Sequence, residues 1–328
     1  MAEIGGLVTS FTPIAKAEKA TRIALRDHDP VVAAIVEARH AVSVDPELLN
    51  LAQLDVLYEP ECRTLWSFMN PVGRASFNPE LLKNFKSWQK IIARDFGPGK
   101  IPIEFLVLGS RVPGVFCYGG DLDLFVQLIR TQDRKGLIKY GKSCVRILKR
   151  NMDALDIPMV TIGLVQGDAL GGGWEALLSF DVVIAEKGSK FSLPEVMFGL
   201  FPGMGAHALL SRKLGQGLAN RMIMSGESFT AERLHELGLV HVLAEPGHGI
   251  DAVRTYIRKE HRRHAGIVGS RQAMRRVDPV PLAELEEIVV IWADTALRLK
   301  ETDLKMMQRL VTAQTRLVEM PARAVKQA

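Results

Sequence analysis

The chain reads as an α/β protein built on a largely parallel sheet and closed by a helical C-terminal stretch. Short apolar runs of strand length, TLWSFM (64–69), IEFLVLGS (103–110), MVTIGLVQG (159–167) and DVVIAE (181–186), alternate with longer helical stretches. Runs that stay apolar without alternating suit strands buried on both faces, and strand–helix alternation suits parallel pairing. After Pro202 the pattern turns predominantly helical.

Residues 1 to about 48 mix charged and small residues, contain Pro13 and Pro30 and show weak periodicity, so they form an N-terminal appendage of unassigned role. The core follows over 49–245, its helices expected over 79–96, 121–130 and 137–155. Asp121 is placed to cap the second of these. Past Pro202, GAHALLSRKLG opens one helix, a second ends near Gly226, and Thr230 caps a third that stops at Gly238. LVHVLAE (239–245) is a short extended return, and 246–328 forms a helical region ending in one long amphipathic helix over about 282–318. That helix is too apolar to stand in water, so it packs on the core, on another subunit or over a ligand.

At 328 residues with 47% apolar and 24% charged content, the chain supports one core of roughly 200–250 residues plus appendages. Cys62, Cys117 and Cys144 are widely spaced, which argues against a disulfide framework or zinc site and for reduced thiols in the cytoplasm. No stretch has signal-peptide character or membrane-spanning length. The net charge of +5 is concentrated in RKEHRRH (258–264) and RQAMRR (271–276), a solvated basic face or a dock for an acidic carrier. Nucleic-acid signatures are absent, and neither a G-x-S-x-G elbow nor a P-loop is present.

The chemistry concentrates in three segments: FCYGGDL (116–122), LGGGWE (170–175) and SLPE (192–195). Glycine lets a backbone N–H approach a ligand closely, and at a helix start those N–H groups are unpaired and lie at the positive end of the dipole. Gly172 N–H and Tyr118 N–H are the expected donors of an oxyanion hole. Glu175 and Glu195 are then an acid and a base beside it. Gly120, Trp174 and Trp292 are assigned to the substrate pocket. Asp168 reads as a turn residue and His207 as a structural histidine.

These segments resemble the crotonase (enoyl-CoA hydratase/isomerase) superfamily, whose two glutamates stand in GGGxE and PE contexts. Within it, GVFCYGGDLDLF, LVQGDALGGGWEALLS, LPEVMFGLFPGMGA and EIVVIWADTALRLKETDLKMMQRLVTAQ resemble the diffusible-signal-factor synthases, over about residues 54–318. Cys117 and Gly199 depart from that pattern, where Asn and an acidic residue are expected. The resemblance implies a spiral of β-β-α units with a helical C-terminal region that covers the acyl pocket or a trimer interface. It implies dehydration of a 3-hydroxyacyl-[acyl carrier protein] and thioester hydrolysis to a cis-2-unsaturated fatty acid quorum-sensing signal, with neither metal nor redox cofactor. An enoyl-CoA hydratase or isomerase acting on CoA thioesters is the alternative on the same fold. An interaction protein binding a sensor kinase's receiver domain is the alternative of another class.

Overall fold

A computed structural model describes residues 44–319; the appendage expected over 1–48 and the tail of the C-terminal region therefore lie mostly outside the described residues. Helix α1 (Pro46–Leu49) buries Leu48 against the core. Then come β1 (Leu54–Glu59), β2 (Thr64–Met69), α2 (Pro79–Asp95), β3 (Phe105–Ser110), β4 (Gly114–Cys117), α3 (Leu122–Arg130) and α4 (Arg134–Met152). They are followed by β5 (Val160–Val165), β6 (Gly167–Leu170), α5 (Gly172–Leu177), β7 (Val182–Glu186), β8 (Lys190–Ser192) and the 3₁₀ turn Pro194–Phe198. The rest is α6 (Ala206–Leu214), α7 (Gln216–Ser225), β9 (Ser228–Thr230), α8 (Ala231–Glu236), β10 (Val242–Ala244), α9 (Gly249–Glu260), α10 (His264–Val277), α11 (Leu282–Ala296) and α12 (Glu301–Glu319).

Two sheets form, where one was expected. The larger has the order β1-β2-β3-β5-β7-β10 and is parallel apart from the β1–β2 edge pair. The smaller has the order β4-β6-β8-β9, with β8–β9 antiparallel. Each repeat sends one strand to the large sheet, the next to the small sheet and then a helix back: β3-β4-α3/α4, β5-β6-α5, β7-β8-α6. This is the α/β spiral of β-β-α units, with the C-terminal helices packed on it.

The large sheet is apolar on both faces because its strands are continuous apolar runs. Side chains alternate: Trp66, Val107, Ile162 and Ile184 face Val253 and Ile257 of α9 and Val268 of α10, while Leu65, Leu106, Leu108 and Val183 join the main core. The basic segments 258–264 and 271–276 therefore lie on helices covering the face of the large sheet turned from the main core. Caps act where polar residues precede helices: Asn78, Asp121, Asp133 and Thr230 each accept an N–H from the first turn.

The long helix expected over 282–318 is two helices. Leu297–Lys300 turns the corner, with Lys300 N–H donating to Asp303 Oδ2 at 2.8 Å, so the acidic residue caps the new helix backwards. The break lets α11 lie along α4 while α12 packs on α3 and on the 3₁₀ turn. Among the described residues no helix is long and apolar enough to cross a membrane.

Candidate active site

Three neighbouring parallel strands of the small sheet, β4, β6 and β8, end on the same side at Cys117, Leu170 and Ser192. The chain leaving each end supplies one part of the site, which is how segments far apart in sequence meet. A register shift between Val115 and Cys117 re-aims the first of them.

Each glycine of the triplet stands where a side chain would meet a close neighbour. Gly171 has φ +52°, and a side chain there would begin 2.6 Å from Glu195 Oε1. A side chain on Gly172 would begin 2.6 Å from Met204 Sδ, and one on Gly173 2.2 Å from Cys117 O. Across the gap, a side chain on Gly119 (φ +89°) would begin 2.6 Å from Gly172 N. The two turns can touch only as bare backbone.

The two N–H groups aimed at this space are those of Gly172 and Gly120; neither donates to a protein acceptor. Gly172 opens α5, and its Cβ direction points to within 3.5 Å of Gly120 N. The expectation for Tyr118 is corrected here: its N–H donates to Ala75 O at 2.7 Å and is consumed by the scaffold. Gly120, assigned to the pocket from sequence, lines the cavity with its N–H unpaired, and Phe77–Gly119 pairing holds its turn in place.

Glu175 is 1% exposed, and its Oε1 accepts from Met204 N at 2.8 Å and Ala206 N at 2.9 Å, at the start of α6. The FPGMGA turn thus wraps a carboxylate, with Gly205 at φ +119°. Burial pushes the Glu175 carboxyl up to about 7, against the lowering pull of those backbone donors. Glu195, on the 3₁₀ turn, has an enclosed Oε2 without a hydrogen-bond partner. Burial first, and the charge of Glu175 second, raise its carboxyl well above the ordinary range. Of the pair, Glu175 is the one whose charge meets backbone donors, and Glu195 the one whose surroundings favour the protonated form.

Both glutamates line a cavity of about 140 Å³ together with Gly120, Gly172, Met204 and Trp292. Trp292 reaches it from α11, stacked edge-on against Phe125 at 5.0 Å and seated on Gly203, where any side chain would begin 2.6 Å from its ring. The assignment of Trp174 is corrected: its ring packs against Phe191 and Phe229 and does not line the cavity. Sequence reasoning missed Met204, Leu310 and Gln314, the last two from α12. The glycines flanking Met204 were the available signal for it, whereas α12 carries none. A second, apolar cavity of about 30 Å³ lies among Phe77, Phe85, Trp88, Leu148 and Ala176, and Met204 belongs to the walls of both. Among the described residues no group of three His, Cys, Asp or Glu side chains converges as metal ligands. Asp121 caps α3 and Asp168 accepts from Lys190 N, both outside the cavity lining.

The family model for enoyl-CoA hydratase/isomerase matches residues 102–259. A probable mitochondrial enoyl-CoA hydratase 2 of Arabidopsis thaliana is 33% identical over 177 residues, 54% of this chain and 55% of that protein. The chain thus spans about half the length of the curated relatives it matches. Among solved structures, Pseudomonas aeruginosa DspI superposes with a TM-score of 0.60 at 25% identity, over 73% of this chain and 91% of DspI. Enoyl-CoA hydratase from Bacillus halodurans superposes with a TM-score of 0.66 at 19% identity, over 79% of this chain and 100% of that one, a likeness of fold. The chain belongs to the crotonase, or enoyl-CoA hydratase/isomerase, superfamily.

Proposed function

We propose that the protein is an acyl-thioester dehydratase that removes water from a 3-hydroxyacyl thioester. The observation that carries this reading is the pair of carboxyls lining one cavity, one held by backbone donors and one with an enclosed oxygen that has no protein partner, beside two unused N–H groups. The thioester oxygen binds between Gly120 N–H and Gly172 N–H, which stabilise the enolate-like charge that develops on it. Glu175 takes the proton from C2 and Glu195 gives its proton to the oxygen leaving C3, which departs as water. The relatives' names support water addition or removal on CoA thioesters.

The finer reading is synthesis of a cis-2-unsaturated fatty acid signal: dehydration on acyl carrier protein, then hydrolysis of the thioester by a carboxylate-activated water at the same two donors. The motif resemblance to the diffusible-signal-factor synthases and the likeness to DspI support it. The apolar cavity behind Met204 supports a substrate whose chain extends past the acid pair. An acyl carrier protein as donor, a sensor kinase's receiver domain as partner and a homotrimer as assembly belong to this reading. The second reading, an enoyl-CoA hydratase or isomerase, is favoured by the family model over 102–259.

Mass spectrometry of the purified protein incubated with a medium-chain 3-hydroxyacyl group, on carrier protein and on CoA in parallel, tests both. Free 2-enoic acid from the carrier-bound substrate is the expected product. Enoyl-CoA that stays esterified would favour the second reading, and loss of water from neither substrate would overturn both.

A further inference from the structure

Two polar atoms lie buried without a protein partner on residues that line the candidate catalytic cavity: Glu195 Oε2 and Gln314 Oε1. Gln314 is 9% exposed and comes from α12, in a stripe where Met307 and Leu310 at i−7 and i−4 are apolar. A leucine would continue that stripe; an amide oxygen left unpaired there costs about 1–3 kcal/mol. The polar atom is therefore kept for a donor that arrives with the ligand.

A hydroxyl group answers both orphans at once. Its oxygen accepts a hydrogen from a protonated carboxyl, and its own hydrogen still requires an acceptor. A thioester carbonyl cannot do this, since it only accepts. We propose that Gln314 Oε1 accepts the hydrogen of the substrate's 3-hydroxyl group, so that Gln314 distinguishes a 3-hydroxyacyl thioester from an unsubstituted one. The contact turns an oxygen lone pair towards Glu195. When the C3–O bond breaks, the oxygen leaves with that hydrogen plus the proton from Glu195, as water. This inference rests on the thioester reading above.

Calorimetry separates the two. In the Glu175→Gln background, which slows turnover, the binding of 3-hydroxyacyl-CoA and of unsubstituted acyl-CoA of equal chain length is compared with and without Gln314→Leu. Gln314 should contribute about 5- to 10-fold to the preference for the hydroxylated ligand, the worth of one neutral hydrogen bond. That contribution should be lost in Gln314→Leu and in Gln314→Met, the pair guarding against a packing defect in either variant alone. An equal loss for both ligands would assign Gln314 to the thioester carrier arm or to packing, and unchanged affinities for both would assign it to bound water; either overturns the inference while leaving the thioester reading intact. If neither ligand binds the Glu175→Gln parent, the thioester reading falls and this one with it.

Discussion

Buried carboxylates occupy two regions of this molecule, and their surroundings differ in kind. Around the large sheet, Glu59 accepts from Trp66 Nε1 at 2.8 Å and Arg254 at 2.6 Å. Asp181 accepts from Thr161 N, Thr161 Oγ1 and Arg275, and Glu186 from Gln166, Gly247 N and Gly249 N. Every oxygen of these three has a donor, so each carboxylate fastens one element to another. In the cavity, by contrast, Glu195 Oε2 has none, and Glu175 is held by two N–H groups through Oε1 alone. A saturated carboxylate has nothing left to give a ligand, whereas an unsaturated one is retained against the cost of its burial for a partner that comes and goes.

The contrast breaks most sharply under amide substitution. Glu175→Gln and Glu195→Gln should each lower kcat on a 3-hydroxyacyl thioester by about 10³-fold with the fold intact, because the amide keeps the volume and loses the proton. Steady-state kinetics beside circular dichroism checks this, and full turnover in either variant would remove that residue from the chemistry. Arg254→Ala should do the reverse. Stranding Glu59 beside Trp66 should cost about 2–3 kcal/mol in urea unfolding, with kcat of the folded enzyme unchanged.

Gly119→Ala should cost about 10²-fold in kcat, since its Cβ would push against Gly172 N and part the two donors. A larger effect on KM than on kcat would instead make the turn a binding element. The smallest effect concerns pH. With its carboxyl raised from 4.5 to about 7, folded Glu175 retains a proton that the unfolded chain has released. The stability this contributes is complete below 4.5 and is lost as pH rises through about 7. Relative to wild type, Glu175→Gln should therefore gain on the order of 2 kcal/mol between pH 4.5 and pH 8. Thermal melts at the two pH values read the difference, and parallel curves would mean the carboxyl titrates normally.

Much of the large sheet was legible because its strands are uninterrupted apolar runs, and TLWSFM appears as β2 without a residue's change. The small sheet was not. Its strands are three or four residues long and partly exposed, too short to show a period. The break at 297–300 escaped for a related reason: the apolar stripe runs through it, and only the need to meet both α4 and α3 separates α11 from α12.

In the site, the glutamates and the glycines were readable because few other residue types can stand at a turn where backbone touches backbone. Which N–H remains free was not, since Tyr118 is taken by Ala75, 43 positions earlier in the chain. Trp174 failed similarly: its neighbour Glu175 faces the cavity while the indole faces Phe191 and Phe229.

Local chemistry therefore determined the superfamily, the strand–helix grammar and the two acids, because strand length, bare glycine turns and carboxylates are properties of single segments. Only the tertiary structure decided which carboxyl meets backbone donors, which amides stay unpaired and that Gln314 enters the cavity. Those depend on desolvation and on donors brought from distant segments, and such quantities exist only once the chain has closed around them.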